Sequence, residues 1–310
     1  MSTTTTTSTE QYQIGDTWFD AESKYLTLDL RDSTDLLDDT EALRARMRED
    51  GFLLLRGLHD RDAVRTARRD ILNIMAEQGK LDPDADLMDG VVNPDPAKGN
   101  DTPTVRGRDH MKKPSLREVV YGPRVMGFFE RFLGGTPMSY EFQWLRAVGP
   151  GGSSTVHYDV VYMGRGTQNL YTCWTPLGRI TPEMGPLAMV LGSNRWKHVI
   201  ETYGRTDVDR DLTCGYFTKD PAELVDRFGG RWATTTFEPG DVVILDMFTM
   251  HASLTNNSNR YRISCDTRYQ LASDPVDERW AGKAPKAHAQ FWAPEAKLEP
   301  VEVSRTRWGI

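Results

Sequence analysis

The segment Thr155-Val156-His157-Tyr158-Asp159 decides how the rest of the chain is interpreted. If it is a β-strand, side chains two positions apart point to the same face, so His157 and Asp159 lie side by side while Tyr158 points away. A second histidine, His251, ends an apolar and aromatic segment that also has the composition of a strand. Two imidazoles and one carboxylate on one side of a metal, with other positions open, form the ligand set of non-haem Fe(II) sites. The sequence therefore predicts a metal centre rather than the hydrogen-bonded pair that an isolated His-x-Asp usually forms.

An arginine follows His251 at the distance of a hairpin. A polar Asn/Ser turn separates His251 from Arg262, and such a turn returns the chain towards the metal. The planar guanidinium matches a carboxylate, so Arg262, with Ser253 beside it, is expected to hold the far carboxylate of a 2-oxo diacid that chelates the metal. Arg260 shares the strand face of Arg262, so alternation does not choose between the two arginines.

These residues, in this order, resemble the phytanoyl-CoA dioxygenase (PhyH) family of Fe(II)/2-oxoglutarate-dependent oxygenases. The family's H-x-D pair, distal histidine and later arginine correspond to His157, Asp159, His251 and Arg262. Four further segments resemble the family and extend the likeness over about residues 40–270: 49–58, 174–177, 185–187 and 191–194. The resemblance implies a mainly β double-stranded β-helix (jelly roll, cupin-like) with flanking helices, Fe(II) as the metal, 2-oxoglutarate and O2 as cosubstrates, and Arg262 as the carboxylate-binding arginine.

The implied reaction is hydroxylation of an unactivated C–H bond of a small metabolite, of the kind made in biosynthetic tailoring, with succinate and CO2 as coproducts. Desaturation, cyclisation and epimerisation use the same cofactors and stay open. Related halogenases have a small residue where Asp159 stands, so halogenation is disfavoured. A zinc hydrolase on the same fold leaves Arg262 without a role. A non-catalytic binding module leaves the intact ligand set unexplained.

Other residues are candidates for the pocket. Thr172 and Trp174 are expected to line the cosubstrate pocket, and Gln143 is a further candidate. His110 is a candidate for contact with the substrate from a basic loop. The candidates for contact with the substrate or the metal ligands are Tyr158, Tyr162 and Arg165.

The substrate class stays open between two kinds of small molecule. Arg146, Arg165 and the basic stretch 105–113 favour an anionic molecule. The aromatic residues near the motif equally suit a flat or polycyclic metabolite. They are Trp144, Tyr158, Tyr162 and Phe248.

Composition excludes several classes of protein. The 310 residues carry a net charge of −7, and the basic run 65–69 is expected on a solvated helix face among acidic residues, which argues against nucleic-acid binding. No apolar stretch is long enough to span a membrane, and the N-terminus does not have the pattern of a secretory signal, so a cytoplasmic location is expected. The three cysteines are an odd number without metal-binding spacing.

The pattern along the chain predicts one domain. Residues 1–12 are expected to form a disordered polar tail, and residues 13–310 a single jelly-roll oxygenase domain. Helices are predicted over 38–48, 60–78 and 115–133, with a loop or lid at about 79–114. Strands are expected from 138 to 269, interrupted by an excursion over 196–232. Four aromatic residues, Trp280, Phe291, Trp292 and Trp308, are expected to pack a C-terminal segment against the barrel or against the partner subunit of a homodimer.

Overall fold

In the computed structural model the described residues are 10–99, 113–282, 285–288 and 297–310. The candidate His110 and the aromatic residues Phe291 and Trp292 lie outside these ranges. The helices are α1 (Thr40–Asp50), α2 (Arg61–Glu77), α3 (Pro96–Gly99), α4 (Pro114–Tyr121), α5 (Pro123–Leu133), α6 (Val160–Met163), α7 (Lys197–Glu201), α8 (Glu223–Asp226) and α9 (Val301–Trp308). The strands are β1 (Gln11–Ile14), β2 (Thr17–Asp20), β3 (Leu26–Thr27), β4 (Phe52–Leu55), β5 (Pro137–Ser139), β6 (Trp144–Val148), β7 (Tyr171–Pro176), β8 (Leu187–Val190), β9 (Trp232–Ala233), β10 (Val242–Leu245), β11 (His251–Ser253) and β12 (Arg262–Leu271).

Two sheets form the centre of the molecule. The larger has the order β4-β10-β7-β12-β5, and β6 pairs with the first half of β12; all of these pairs are antiparallel. The smaller has the order β11-β8-β9-β3, with β3 and β9 parallel. Leu54 and Val243 of the larger sheet meet Met189 and Ala233 of the smaller sheet in one buried cluster. This arrangement is the expected jelly roll, although the sheets do not close into a continuous barrel.

Helices cover the outer face of the larger sheet. α2 begins at an N-cap, where the Asp60 side chain accepts hydrogen bonds from the backbone N–H groups of Asp62 and Ala63. Its apolar stripe is buried against the outward side chains of β6 and β12, including Ile263. The Phe-rich face of α5 packs in the same way, with Phe129 stacked on Tyr269. Because the outer face of β12 is apolar, its alternate residues point inwards between the sheets.

The helix predicted over 115–133 is two helices. The chain is extended at Gly122 (φ −67°, ψ 168°), and α5 begins with Pro123 at its first turn. Proline lacks a backbone N–H and disfavours a helical residue before it, so α4 ends where the proline requires it. The apolar period continues across this break, which explains why the pattern predicted one helix.

Parts of the predicted tail and of the predicted lid belong to regular structure. Gln11 and Tyr12 belong to β1, which pairs with β2, and residues 1–9 lie outside the described ranges. Residues 79–99 are structured: Leu81 and Val92 form a bridge, and a short 3-10 helix spans Leu87–Asp89. The remaining part of the predicted lid, 100–112, lies outside the described residues.

The C-terminal segment packs against the double sheet. Trp280 is buried beside Phe142 and Trp144, and Trp308 of α9 contacts Tyr203 in the excursion. In the described residues, none of the helices has the length and the apolar content needed to cross a membrane.

Candidate active site

The two candidate histidines face each other across a single antiparallel bridge. The backbone N–H of each donates to the carbonyl of the other at 3.1 Å, which brings the two ring centroids to 4.3 Å. Each Nδ1 lies within hydrogen-bond distance of a backbone carbonyl two residues earlier, Thr155 O at 2.7 Å for His157 and Thr249 O at 2.9 Å for His251. A carbonyl can only accept, so each Nδ1 carries the hydrogen and each Nε2 is left with a free lone pair.

Asp159 joins these histidines by a different geometry from the one predicted. The bridge ends at His157, and Asp159 has helical dihedral angles (φ −66°, ψ −29°) at the start of α6, so the predicted strand over 155–159 is wrong. The turn nevertheless brings Asp159 Oδ1 to 3.7 Å from Nε2 of His157 and 3.9 Å from Nε2 of His251. One ligand atom from each of the three residues lies within 4.8 Å of the other two.

The second oxygen of the Asp159 carboxylate is held by the protein. The hydroxyl of Thr172 in β7 donates to Oδ2, and Nη2 of Arg268 in β12 lies 3.3 Å from the same atom. Burial alone raises the pKa of the Asp159 carboxyl, but the Arg268 guanidinium holds it well below its usual value. Asp159 is therefore an anion that offers one oxygen, Oδ1, towards the histidines.

This donor set fits Fe(II). Burial and the neighbouring His157 lower the pKa of His251 to about 4, so this imidazole is neutral at physiological pH, as a ligand must be. Two imidazoles and one carboxylate oxygen, gathered together in a cavity, leave positions open for other ligands. Among the described residues, these three form the group of His, Cys, Asp and Glu side chains that lies close enough together to hold a metal ion.

Arg262 lies at the base of the same cavity as a buried cation. Its exposure is 2%, Nη1 donates to Ser264 at 2.9 Å, and Nε has no hydrogen-bond partner. Burial, reinforced by the like charge of Arg146, lowers the pKa of Arg262 to about 10. Arg260, the alternative left open by strand alternation, is exposed and pairs with Asp89 at 3.1 Å. Of these two arginines, Arg262 is therefore the one that lines the cavity of the candidate metal ligands.

The other predicted site residues divide between the cavity and the core. Thr172, Trp174 and Ser253 line the cavity, and Ser253 exchanges two hydrogen bonds with Ser154. Gln143 is buried but does not line the cavity. It lies one residue before β6, and strand alternation directs its side chain away from the cavity.

Three further candidates lie outside the cavity wall. Tyr158 is buried and donates to the carbonyl of Ser193 at 2.7 Å. Tyr162 stands edge-on to His157 with ring centroids 5.2 Å apart. Arg165 pairs with Asp207 at 2.6 Å.

The cavity is also lined by Arg146, which the sequence analysis named as favouring an anionic molecule, and by two residues that it did not name, Asp266 and Arg268. Arg268 contacts the metal-site carboxylate, while Arg146 and Asp266 pair with each other at 3.0 Å between Nε and Oδ2. The signal for Arg268 and Asp266 was present, because polar and apolar residues alternate along β12 from Arg262. Every second residue of that strand faces inwards, and the polar ones share one wall.

The cavity measures about 450 Å³ including its open mouth. It is lined by Arg146, Ser154, His157, Asp159, Thr172, Trp174, Leu187, Leu245, His251, Ser253, Arg262, Asp266 and Arg268.

Comparison with known proteins relates this cavity to one family. The model of the phytanoyl-CoA dioxygenase (PhyH) family matches residues 47–264. A 1-deoxypentalenic acid 11-beta-hydroxylase from Streptomyces exfoliatus is 30% identical over 266 residues, which cover 79% of this chain and 86% of the relative.

Solved structures have the same fold at low sequence identity. EctD from S. alaskensis with bound Fe has a TM-score of 0.55 at 18% identity, covering 95% of this chain and 96% of its own. The epimerase SnoN in complex with Fe3+, alpha ketoglutarate and nogalamycin RO has a TM-score of 0.53 at 16% identity, covering 79% of this chain and 87% of its own.

Proposed function

This chain belongs to the phytanoyl-CoA dioxygenase family and is a non-haem Fe(II)/2-oxoglutarate-dependent dioxygenase, and from that premise we propose that it hydroxylates an unactivated C–H bond of a small metabolite. The observation that carries the proposal is the pairing of a three-residue metal site with a buried, unpaired cation in one cavity. A dianionic keto acid that chelates a metal at one end satisfies both features at once.

We assign the metal to His157, Asp159 and His251. When bound, iron and 2-oxoglutarate supply the oxidant that removes a hydrogen atom from the substrate, and the cosubstrate leaves as succinate and CO2. The protein keeps Asp159 to one ligand atom, because Thr172 and Arg268 occupy its other oxygen. Each backbone carbonyl that fixes an imidazole tautomer also fixes the direction of the ring.

We assign the far carboxylate of 2-oxoglutarate to Arg262. Its free Nε and its remaining Nη group offer donors in the planar arrangement that a carboxylate accepts, inside a site from which water is largely excluded. The side chains of Leu187, Leu245 and Trp174 provide apolar walls between the two polar ends. These walls suit the short methylene chain of the cosubstrate.

This arrangement separates the oxygenase from the two alternative functions. A zinc hydrolase has no role for a buried cation without an acidic partner in the same cavity as the metal ligands. A binding module without catalysis needs neither the fixed tautomers nor the two donors on Asp159. Desaturation, cyclisation and epimerisation use the same residues as hydroxylation, and analysis of the product distinguishes them.

The experiment is an anaerobic titration of the protein with Fe(II) and 2-oxoglutarate, followed by oxygen and a substrate screen that begins with 1-deoxypentalenic acid, the compound in the relative's name. A visible charge-transfer band that is lost in Asp159→Asn, and a product that gains one oxygen atom, support the proposal. Exposed Asp38→Asn serves as the matched control. Tight binding of Zn(II) without any effect of 2-oxoglutarate would overturn the assignment.

A further inference from the structure

The walls of the active-site cavity contain an uneven set of charges. Arg268 is paired with Asp159, Arg146 is paired with Asp266, and Arg262 has no acidic partner among the described residues. The two histidines of the metal site do not enter this count of charges, because a neutral imidazole carries no charge. Three cations therefore face two anions, and the cavity has one excess positive charge.

Loading the site leaves that excess in place. Fe(II) adds two positive charges, and 2-oxoglutarate adds two negative charges, one at the metal and one at Arg262. The loaded cavity therefore still has one positive charge more than it has negative charges. An uncompensated charge in a largely enclosed site is costly, so the geometry favours a ligand with a single negative charge.

Arg146 is the cation that such a ligand can reach. Its side chain keeps 42% of its surface accessible, compared with 4% for Arg268, although both line the cavity. Only its Nε is engaged, by Asp266, and neither terminal nitrogen has a hydrogen bond to a described residue. Arg268 is less accessible to a ligand, because its Cζ lies 4.3 Å from the centroid of the Trp144 ring and its Nη2 contacts Asp159, although its buried Nη1 has no hydrogen-bond partner.

The position of Arg146 relative to Trp144 indicates what accompanies the negative charge. The two residues are separated by one position in β6, so they share a face of that strand. Trp144 is half-buried against Phe142 and Trp280. The apolar side chains that line the cavity together with Arg146 are Trp174, Leu187 and Leu245. An anionic group at Arg146 therefore lies in a cavity that also has apolar walls.

We propose that the terminal nitrogens of Arg146, oriented by Asp266, bind the carboxylate of the substrate, and that the substrate is an aliphatic or alicyclic monocarboxylic acid. This inference rests on the proposed function, because the charge count assumes Fe(II) and 2-oxoglutarate. Asp266 is a positioning residue, since it holds Nε of Arg146 and thereby directs the two terminal nitrogens into the cavity. 2-Oxoglutarate also has carboxylates that Arg146 can bind, and the experiment distinguishes the substrate from this cosubstrate.

The test is calorimetric titration of the Fe(II)- and 2-oxoglutarate-loaded protein under anaerobic conditions. The probes are cyclohexanecarboxylate and its neutral isostere cyclohexanecarboxamide. We expect the wild-type protein to bind the carboxylate and to bind the amide at least about 10-fold more weakly. Arg146→Met is expected to lose about 10- to 100-fold in carboxylate affinity and to change amide affinity little.

Two further variants make the result interpretable. Arg146→Met leaves the buried Asp266 carboxylate without its cationic partner and could therefore prevent folding. In that case the double variant Arg146→Met/Asp266→Asn, which removes both charges, is used instead. Arg179→Met is the matched control, because Arg179 also makes one Nε contact to a carboxylate, Glu238 at 2.9 Å, but lies on the surface. We expect Arg179→Met to bind both probes as the wild-type protein does.

Three outcomes would overturn the inference. One is a wild-type protein that binds the carboxylate no better than the amide. Another is an Arg146→Met variant, or double variant, with unchanged carboxylate affinity. The third is a variant that loses affinity for 2-oxoglutarate instead of the probe, which would assign Arg146 to the cosubstrate. Failure of the proposed function is separate, because it shows as the absence of any 2-oxoglutarate binding by the Fe(II)-loaded wild-type protein before a probe is added.

Discussion

Replacing Arg262 by methionine is expected to stabilise the empty protein. Arg262 is buried, and burial together with the like charge of Arg146 lowers its pKa from 12.5 to about 10. One pKa unit corresponds to about 1.4 kcal/mol, so keeping this cation charged costs the folded state about 3 kcal/mol. Part of the gain on substitution is offset by loss of the hydrogen bond to Ser264. We expect Arg262→Met to raise the free energy of unfolding by about 1–3 kcal/mol when neither metal nor cosubstrate is present.

The expected stability gain of Arg262→Met does not depend on pH near neutrality. A base whose pKa is lowered on folding is destabilising at every pH below its folded value, and the cost disappears only as pH rises through about 10. The stability gain of Arg262→Met should therefore be the same at about pH 6 and at about pH 8. Urea unfolding at both pH values, followed by fluorescence, measures it.

The same variant should lose the response to 2-oxoglutarate. A ligand that binds only the folded state at 100 times its dissociation constant stabilises it by about 2.7 kcal/mol. Loss of charge-assisted hydrogen bonds to a carboxylate weakens binding by about 1.5–3 kcal/mol, which is roughly 10- to 100-fold. With Fe(II) present under anaerobic conditions, 2-oxoglutarate should therefore stabilise the wild-type protein strongly and Arg262→Met weakly.

Arg260→Met is the matched control. It removes an arginine two residues away whose side chain is exposed and paired with Asp89, so stability should change by no more than about 0.5 kcal/mol. The response of this control to 2-oxoglutarate should equal that of the wild-type protein. An empty Arg262→Met protein that is less stable than the wild-type protein, or one that 2-oxoglutarate stabilises fully, would refute the reasoning.

Three further substitutions test other parts of the structure. Thr172→Val removes the hydroxyl that donates to Asp159, so Fe(II) affinity should fall about 10-fold in competition with a chelator, and an unchanged affinity contradicts the role of that hydrogen bond. Burial lowers the pKa of His59 to about 4, so the unfolded chain takes up this proton first and stability is lost as pH falls from about 6.5 to about 4. His59→Gln should remove up to about 3 kcal/mol of that acid sensitivity in urea unfolding, and an identical pH profile speaks against it. Gly51→Ala places a side chain on a left-handed residue (φ +80°) against the Thr249 hydroxyl and should cost at least about 2 kcal/mol of stability, whereas a neutral effect would show that the turn can adapt.

The sequence predicted the metal site by residue type but not by geometry. His157 and Asp159 are two positions apart, and that spacing brings side chains together in a strand. The same spacing also brings the two side chains together where a β-bridge is followed by a helix, as it is at Asp159. Periodicity does not distinguish these two geometries, because it describes only the spacing of side chains. The pairing of His157 with His251 depends on a contact between distant parts of the chain, which no local pattern describes.

The fold was predictable where the chain has a continuous apolar run. The segment 49–58, which resembles the family, contains β4 (Phe52–Leu55), whose four residues are all buried. The helix break at Gly122–Pro123 was missed because the apolar period of α4 continues into α5, although the proline itself marks the boundary.

The inner face of β12 explains why the remaining site residues escaped prediction. Arg262, Ser264, Asp266 and Arg268 alternate with buried apolar or small residues along one strand. A row of polar side chains between two sheets contradicts the usual apolar interior, so alternation alone indicates a solvent-facing strand face. What makes the row tolerable is charge balance, since Asp266 neutralises Arg146 and Asp159 neutralises Arg268. Arg262 is the exception, and in the proposed function its partner is the far carboxylate of 2-oxoglutarate.

This balance links the stability of the empty site to its affinity for ligands. The apolar outer face of β12 is buried under α2, α4 and α5, and this packing offsets the cost of the charged inner face. The helices therefore stabilise a strand whose inner wall is incompletely neutralised until ligands bind. Because the uncompensated charge is positive both before and after the metal and cosubstrate bind, the same wall favours anions at each step. With the metal and the cosubstrate bound, a neutral substrate would leave the cavity with one excess positive charge, whereas the proposed monocarboxylate would bring the total charge to zero.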